Sequence, residues 1–544
     1  MFWKYLYYRR WQVGIIIIFS ILESLLSIYF IDYINETLLQ LKEVSMYYLL
    51  KFVFLLVILF LVSLATSLFL IYFGKVLVTN IRQKMVQQII DSDYLQIKRQ
   101  TRARLTFSLN SDVESYARLF FSLPHILHGI TLGLFAIGYM YYLHFDLAVA
   151  VTIYFLLVIL ILQYLLVIFY KNAAKARDSR DIINKNYAQA IDGQRELKKS
   201  KLRKLLYLAN FRKNIQRYLY LSADAEAFEA ILMLFFDIAL LGLIGLVFYL
   251  SMVFAFADLA AATSFAVVIL FMRSHLTSAI EGVSKFAYVK IGAKRIAMLD
   301  LKPYSGEQET NQPHLSAFDH TWQKITLAHV SFSYPQQRGT LKPQEFKLSD
   351  VDLSIKRGET IFIVGANAAG KSTLALLLAG IIVPEQGRIL VDKEPITSTL
   401  LPSYQQLSSS VFSDFYLFPQ IPVAQTQEKA QEIDYWLRRL EMDSVVQVNN
   451  FIFSSTNLSV SQNKRLALLS AIVEGKSLLI LDEWAAEQDP EFRKKFYQEI
   501  IPELKAKGIT IVAVTHDELY LAQADRVIFL EKGKVYESNA KEVS

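Results

Sequence analysis

Cysteine is absent from this chain of 544 residues. Its absence excludes disulfide bonds, thiolate metal sites and a cysteine-protease leader domain. The sequence also lacks internal repeats and low-complexity tracts. No small-residue cleavage site follows the first apolar run, so we predict a retained helix there rather than a signal peptide. About ten residues precede that run, and we expect no accessory N-terminal domain.

Charged residues are scarce in six stretches before residue 285, although they make up 20% of the whole chain. Three of the stretches contain charge-free runs, at 52–73, 119–143 and 147–170, and the charges inside the others include Glu23, Asp237 and Arg273. Each reaches the roughly 20 residues that cross a bilayer. We therefore predict an all-α polytopic membrane domain over residues 1–300. Its six transmembrane helices are expected at about 12–34, 50–73, 119–143, 147–170, 228–250 and 259–281.

Lysine and arginine are concentrated on alternate connections between these spans. The connections at about 75–104 and 171–217 are rich in both, whereas Lys42 stands alone after the first span and residues 144–146 and 251–258 carry none. Basic connections stay on the cytoplasmic side of a membrane, so we predict that both termini are cytoplasmic. The same asymmetry explains the net charge of +7. Anionic lipid headgroups are thus expected partners, and nucleic acid is not.

The segment at 301–321 differs from the chain on either side of it. It is polar, lacks periodicity and contains Pro303, Gly306 and Pro313, as is typical of a linker. Beyond it the hydrophobicity falls, and strand patterns alternate with helix patterns. We predict a separate α/β domain over residues 322–544.

A complete phosphate-binding loop, Gly-Ala-Asn-Ala-Ala-Gly-Lys-Ser, occupies residues 365–372. It follows an apolar strand pattern and leads into a helical run, which is the order that such a loop requires. Glycine lets the backbone approach phosphate oxygens, and the free N–H groups of the helix N-terminus point at them. Lys371 adds a positive charge, and Ser372 is expected to hold Mg²⁺. The loop predicts nucleotide binding.

An acidic pair, Asp482 and Glu483, ends a second apolar strand pattern at 477–481. Carboxylates at the end of a buried strand are placed to meet Mg²⁺ and water. We expect Asp482 to hold the metal through its shell and Glu483 to polarise the attacking water.

A third motif, Leu-Ser-Val-Ser-Gln at 458–462, lies between these two and precedes an apolar helix pattern. Together the three motifs resemble the nucleotide-binding domain of the ABC (ATP-binding cassette) transporters, whose signature is Leu-Ser-Gly-Gly-Gln. Ser459 and Gln462 match that signature, whereas Val460 and Ser461 do not. The resemblance implies that Ser459 of one subunit caps the γ-phosphate of ATP held by another. An ordinary helix N-cap remains the alternative for Ser459.

The same resemblance assigns further roles by position. Tyr334 matches the aromatic residue that stacks on adenine, although a purely structural role stays open. Asp489 takes the aspartate position of the intersubunit loop, and His516 matches the switch histidine that contacts the γ-phosphate. Glu483 and His516 are thus the expected catalytic residues. The residues expected to bind nucleotide are Tyr334, Gly365, Ala366, Asn367, Ala368, Ala369, Gly370, Lys371, Ser372, Thr373, Ser413, Ser459, Ser461, Gln462 and Asp489.

Three positions depart from the family pattern. Ala368 stands where glycine is usual, and an alanine forced to positive φ costs about 1–2 kcal/mol. Ser413 replaces the expected glutamine, which puts the positioning of water or Mg²⁺ by that loop in doubt. Ser461 replaces a signature glycine, which would weaken capping and slow turnover. A heterodimer half with a weakened ATP site is therefore one alternative to a homodimer.

Three strings resemble one subgroup of this family. They lie at 411–418, 464–469 and 482–492, and they look like the cyclic-peptide and siderophore exporter group of ABC half-transporters. The resemblance implies an exporter-type membrane domain, ATP and Mg²⁺ as cofactors, and a homodimer in the bacterial inner membrane that exports a peptide-like or siderophore-type molecule. Siderophore import, lipid flipping and a membrane ATPase that regulates without transporting remain alternatives.

The charges inside the spans have two readings. Glu23 and Asp237 are expected about halfway across the membrane, with Arg273 nearer the cytoplasm. They either line a polar substrate cavity or make interhelical bonds and snorkel. Residues 93–100 and 192–206 resemble the coupling helices of the exporter fold, although a plain solvated helix surface would show similar charge.

Overall fold

The computed structural model describes residues 10–38, 46–100, 102–254, 257–302, 318, 322–334 and 347–539. Lys42 and most of the predicted linker at 301–321 lie outside these residues. The chain divides into two compact units between residues 304 and 305, except that Asp93–Leu95 belong with the second unit.

Six helices in the described part of the first unit are long and apolar enough to cross a membrane. This confirms the predicted all-α membrane fold with six spans. The helices are α1 Arg10–Asp32, α2 Met46–Asp91, α3 Val113–Leu143, α4 Phe145–Asp192, α5 Lys201–Phe254 and α6 Leu259–Ala297. α1 continues as a π-helix over Tyr33–Leu38, and another π-helix, Ser108–Asp112, leads into α3.

Three of these helices are much longer than the apolar runs that predicted them. α2 has 46 residues, α4 has 48 and α5 has 54. At about 1.5 Å per residue they exceed 65 Å, whereas the hydrocarbon core is about 30 Å thick. The basic residues of the connections therefore lie mainly on helical extensions. Short helices complete the connections: Tyr94–Arg99, Arg102–Phe107 and Gln194–Lys199.

Close packing between α3 and α6 depends on small residues. A Cβ atom added to Gly129 would lie 2.6 Å from Ala279 Cβ and 2.9 Å from the carbonyl oxygen of His275. No side chain fits there without a shift of backbone. In a membrane, where lipid is as apolar as the helix faces, such close approach is a main source of helix association.

A buried ion pair joins the π-helix before α3 to α4. Arg177 Nη2 lies 3.3 Å from Asp112 Oδ1, and the two side chains are 9% and 1% exposed. Ser108 Oγ donates to the other carboxylate oxygen at 3.1 Å. Burial raises the pKa of Asp112, while Ser108 and Arg177 oppose that rise. The contact fixes the π-helical segment against α4.

The second unit contains two main sheets. Their strands are β1 Lys324–Ser333, β2 Lys347–Lys356, β3 Thr360–Gly365, β4 Gln386–Val391, β5 Glu394–Pro395, β6 Ser408–Val411, β9 Leu478–Asp482, β10 Thr510–Val514, β11 Arg526–Glu531 and β12 Lys534–Asn539. Four antiparallel strands have the order β2-β1-β4-β5, and six strands, parallel except for β12, have the order β12-β11-β3-β10-β9-β6. A small hairpin pairs β7 Val448–Asn449 with β8 Ile452–Phe453.

Helices cover the six-stranded sheet and bury its apolar side chains. Phe362 of β3 and Leu481 of β9 pack in one core with Trp436, Leu469 and Phe496 from helices. The helices of this unit are α7 Lys371–Leu378, α8 Leu401–Gln405, α9 Gln427–Arg439, α10 Val460–Val473, α11 Pro490–Lys495 and α12 Ile501–Ala506. Every residue of β9 and β10 is buried, as the near-continuous apolar runs of parallel strands require.

Replacing Arg177 by Met should destabilise the first unit by about 3–5 kcal/mol, because Asp112 would be left buried without its cation. The thermal midpoint of the purified chain in detergent measures the loss. Arg82→Met is the matched control, since Arg82 pairs with Glu114 at an exposed site and its loss should cost less than about 1 kcal/mol. Equal shifts in the two variants would contradict the prediction.

Candidate functional site

Four loops meet at one edge of the six-stranded sheet. β3, β10, β9 and β6 are consecutive neighbours and run parallel. Their carboxyl ends therefore lie together, where open α/β sheets bind ligands. The loops after them carry residues 365–372, 515–516, 482–483 and 413, which brings together motifs that are more than 100 residues apart.

Glycine is required at both ends of the phosphate loop. Gly365 has φ +153°, and a Cβ there would lie 2.2 Å from the carbonyl oxygen of Leu530. Gly370 has φ 112° and is the N-cap of α7. The loop therefore wraps closely and presents the N-terminal N–H groups of α7, an arrangement that binds phosphate.

Lys371 projects back over this loop. Its Nζ donates to the carbonyl oxygens of Gly365 at 2.9 Å and Ala366 at 3.1 Å. Burial lowers the pKa of Lys371, and the nearby carboxylates of Glu483 and Asp482 oppose that shift. The amine thus lies beside the loop that would hold phosphate.

Ala368 has φ 62°, the left-handed conformation that favours glycine. A Cβ in this region costs about 1–2 kcal/mol. The loop therefore keeps the backbone path expected for a glycine and carries the strain of an alanine.

Asp482 accepts hydrogen bonds from two hydroxyl groups. Ser372 Oγ donates to Oδ1 at 3.1 Å, and Ser413 Oγ donates to Oδ2 at 3.2 Å. The aspartate is 2% exposed, and burial raises its pKa while the two serines lower it. Carboxylate and hydroxyl oxygens are the ligands that Mg²⁺ prefers, so this set fits the metal. Ser413 thus contacts the aspartate that is expected to hold the metal.

Glu483 adopts an unusual backbone conformation, with φ 50° and ψ 38°. Its N–H donates to the carbonyl oxygen of Val514 at 3.1 Å. His516 Nε2 lies 3.2 Å from Glu483 Oε1, and the two side chains are 44% and 35% exposed. The carboxylate is therefore oriented by the imidazole and remains accessible to water.

Tyr334 lies near the start of α7. Its hydroxyl is 3.3 Å from Thr373 Oγ1, and its ring packs edge-on against Phe332. The residue is 38% exposed, so a ring surface remains for a planar ligand to cover. This placement is compatible with either interpretation of Tyr334.

The signature residues form a separate group on exposed surface. Ser459 is the N-cap of α10, where its Oγ accepts from Gln462 N at 3.3 Å while Gln462 Oε1 accepts from Ser459 N at 3.1 Å. Ser461 Oγ lies 3.2 Å from Ser459 Oγ. Among the described contacts, none joins these residues to the phosphate loop of the same chain.

Asp489 belongs to the same group. It caps α11 by accepting from Phe492 N at 2.8 Å, and it pairs with Arg465 at 2.8 Å. The hydrogen bond from Phe492 N is the main cause of a lowered pKa of Asp489, and Arg465 adds to it. The aspartate is therefore held as an anion at the helix N-terminus.

Two buried residues next to the site, Lys464 and Trp484, carry contacts that reasoning from the sequence missed. Lys464 Nζ donates to the carbonyl oxygen of Glu483 at 2.9 Å. Trp484 Nε1 donates to the carbonyl oxygen of Lys464 at 2.8 Å. Both residues stand in the strings that identify the subgroup, but only their proximity in the fold indicates these contacts.

The three charges inside the spans do not form one cluster in the described contacts. Arg273 Nε pairs with Asp237 Oδ1 at 3.2 Å, and Thr277 Oγ1 donates to the same oxygen at 3.1 Å. Glu23 instead approaches His128, whose Nδ1 lies 3.9 Å from Glu23 Oε2. Asp237 and Arg273 thus make the interhelical bond between α5 and α6 that was one of the two readings.

Comparison with known proteins matches both units to one family. Residues 13–280 match the ABC transporter transmembrane region, and residues 348–486 match the ABC transporter family model. The chain belongs to the ABC transporters, which confirms the resemblance drawn from its motifs. It is a multi-pass membrane protein that binds and hydrolyses ATP to drive transport.

The similar proteins cover either nearly the whole chain or about a third of it. ATP-binding protein SyrD of Pseudomonas syringae pv. syringae is 28% identical over 540 residues, which are 96% of this chain and 93% of that protein. The spermidine/putrescine import ATP-binding protein PotA of Haemophilus influenzae is 32% identical over 196 residues, 35% of this chain and 52% of its own length. The structure of a bacterial Atm1-family ABC exporter with ATP bound has a TM-score of 0.79 at 16% identity, over 98% of this chain and 96% of that one. This last likeness shows that the fold is the exporter fold.

Replacing Ala368 by Gly should stabilise the second unit by about 0.5–1 kcal/mol, because relief of left-handed strain exceeds the added chain entropy. The thermal midpoint of the nucleotide-free chain measures the gain. Ala366→Gly is the matched control. Ala366 has no positive φ, so this variant should lower the free energy of unfolding by about 0.5–1 kcal/mol. A loss in both variants would contradict the assigned strain.

Proposed function

We propose that the chain forms a homodimer in the bacterial inner membrane and exports a peptide-like or siderophore-type small molecule from the cytoplasm. One observation carries the proposal. The same chain contains an exporter-fold membrane unit and an ATP site in which Glu483 pairs with His516. The substrate class rests on the strings at 411–418, 464–469 and 482–492, which resemble the peptide and siderophore exporter group.

Each role in the proposed ATP site is assigned to a residue at the common edge of the parallel strands. Lys371 and the N–H groups at the start of α7 bind the β- and γ-phosphates. Ser372 and Asp482 would hold Mg²⁺, which would neutralise phosphate charge. Glu483 accepts a proton from the attacking water, and His516 orients that carboxylate and contacts the γ-phosphate. Tyr334 stacks on the adenine.

A second subunit would supply the cap of this site. Ser459 is exposed, and the N-terminus of α10 presents N–H groups that favour an anion. A twofold dimer would place Ser459, Ser461 and Gln462 of one subunit over the γ-phosphate held by the other, with Asp489 alongside. The capping box within the subunit supports this role because it fixes the helix end that faces the ligand.

Orientation follows from the basic helical extensions of α2, α4 and α5. Their lysine and arginine side chains favour the cytoplasmic side, which places both termini and the ATP-binding unit there. The same extensions would contact anionic lipid headgroups. We infer that the short helices Tyr94–Arg99 and Gln194–Lys199 act as the coupling helices.

The substrate path is expected to use the polar groups inside the spans. Asp237 and Arg273 neutralise each other, so they offer hydrogen bonds rather than a net charge. Glu23 is 8% exposed and pairs with no lysine or arginine among the described residues, so it provides the acidic character of the path. An acceptor of this kind favours substrates with amide, amine or hydroxyl donors.

Inside-out vesicles that contain the chain should accumulate a labelled peptide substrate when ATP is added. Glu483→Gln should abolish accumulation and lower ATP hydrolysis by about 100- to 10,000-fold, because the general base is lost, while ATP binding persists. ATP-dependent accumulation in right-side-out vesicles loaded with ATP would instead indicate import. Equal rates of ATP hydrolysis by the unchanged chain and by Glu483→Gln would refute Glu483 as the general base.

The cysteine-free chain allows a direct test of the dimer. With Val460→Cys and Asn367→Cys in one chain, mild oxidation should cross-link two subunits, and ATP should increase the yield because the nucleotide draws the signature to the opposite phosphate loop. Denaturing electrophoresis measures the dimer band. Either single variant is the control and should give no ATP-dependent band, and a monomer under all conditions would contradict the homodimer.

A further inference from the structure

Lys464 is a buried cation in the second turn of α10, the helix capped by Ser459. Its side chain is 3% exposed and lies 3.6 Å from Glu487 Oε2. Its Nζ donates to the backbone carbonyl oxygen of Glu483 at 2.9 Å. A buried ammonium is costly unless its donors are paired, so this hydrogen bond specifies where Lys464 and Glu483 lie relative to each other.

Glu483 needs such support. Its left-handed backbone conformation is unfavourable for a residue with a Cβ and persists only where surrounding contacts hold it. Three contacts do so here: Val514 O accepts from its N–H, Lys464 Nζ donates to its carbonyl oxygen, and His516 Nε2 lies against its carboxylate. Lys464 is the one contact of the three that comes from α10.

A reciprocal hydrogen bond strengthens this connection. Trp484 Nε1 donates to the carbonyl oxygen of Lys464 at 2.8 Å, so residues 464 and 483–484 are joined twice. Trp484 is 1% exposed and packs on Phe496 with ring centroids 4.3 Å apart. The connection therefore lies in the core, where a shift on one side is transmitted to the other.

Neighbouring residues extend the connection along both segments. Arg465 Nε donates to Gln488 Oε1 at 2.9 Å, and Gln488 Nε2 donates to the carbonyl oxygen of Ser461 at 3.1 Å. Arg465 also lies over the ring of Phe492, 3.5 Å from its centroid. The start of α10 and the segment 483–489 thus form one hydrogen-bonded body.

We propose that Lys464 is a positioning residue for ATP hydrolysis, which holds Glu483 of its own subunit in the productive geometry. The inference rests on the dimer proposed above, in which α10 of a subunit caps the partner's nucleotide while Glu483 of that same subunit acts on its own. Lys464 therefore connects the cap of one ATP site to the base of the other, so that capping at one site sets the carboxylate at the second.

Lys464→Met removes the ammonium and keeps the length of the side chain. We expect kcat for ATP to fall roughly 10- to 100-fold, as displacement of a catalytic group by about 1 Å does. KM should change less than about threefold, because the phosphate loop is untouched. Lys464→Arg restores a donor and should recover most of the rate. The matched control is Lys429→Met, because Lys429 Nζ donates to the carbonyl oxygen of Val473 at the other end of α10.

Mixed dimers test whether Lys464 acts on Glu483 or on the cap. Two differently tagged forms are purified as a mixed dimer with Glu483→Gln in one subunit, so that a single active Glu483 remains. In one dimer Lys464→Met is in the same subunit as Glu483→Gln, and in the other it is in the opposite subunit. Both are compared with the dimer that carries Glu483→Gln alone.

The proposal expects loss of activity only when the two changes are in opposite subunits, because the remaining Glu483 then lacks its own Lys464. Loss only with both changes in one subunit would overturn it and assign Lys464 to the cap. Equal loss in both, or none in either, would also overturn it. Failure to recover any mixed dimer would refute the dimer itself and this inference with it, whereas an unchanged rate in Glu483→Gln homodimers would refute the assigned base.

Discussion

The parallel pairing of β10 with β3 and β9 determines where every group of the ATP site lies. Each strand pairs with its neighbour in a fixed register, from Ile511 against Thr360 to Val514 against Asp482. Because parallel strands end at a common edge, the phosphate loop, the acidic pair and the histidine turn are brought within hydrogen-bonding distance. Apolar cores pack against both faces of the sheet and fix that register, since a slip by one residue would exchange side chains between two differently packed cores.

Two of the strained residues in the second unit, Ala368 and Glu483, lie in the ATP site. Each has positive φ without being glycine, and each stands beside a group that would contact phosphate or water. Left-handed residues of this kind persist where the surrounding packing determines the backbone path. At Glu483 the surroundings are identifiable, because hydrogen bonds reach its N–H, its carbonyl oxygen and its carboxylate. The left-handed backbone of Glu483 and these hydrogen bonds together hold its carboxylate in one orientation.

Two carboxylates of the membrane unit are paired with arginine side chains. Asp112 with Arg177 and Asp237 with Arg273 are joined between separate helical segments, so neither carboxylate faces an apolar environment alone. Glu23 is the exception among the acidic residues discussed, since its neighbour is His128 at 3.9 Å. A carboxylate kept without a permanent cation inside a membrane is expensive, which is why Glu23 belongs to the proposed substrate path.

The sequence predicted the architecture well because the signals for it are local. Six apolar runs, a phosphate loop after a strand and an Asp-Glu pair after another can each be recognised within about 20 residues. Helix length was underestimated, as in α2. The prediction ended each helix where the apolar run ends, but the helical hydrogen bonds continue into an extension that carries polar side chains. The left-handed conformation of Ala368 could also be expected, since the loop needs it whatever residue stands there.

Sequence by itself therefore determined the class of the protein and the six spans, and it predicted the groups of the ATP site. Only the tertiary structure decided which of those groups meet. It paired Asp237 with Arg273 and Glu23 with His128, placed Ser413 on Asp482, and set Lys464 against the backbone of Glu483. These partners are separated by 19 to 105 residues along the chain, as their numbers show. A local pattern carries no information about such contacts, because they arise from the packing of whole helices and strands.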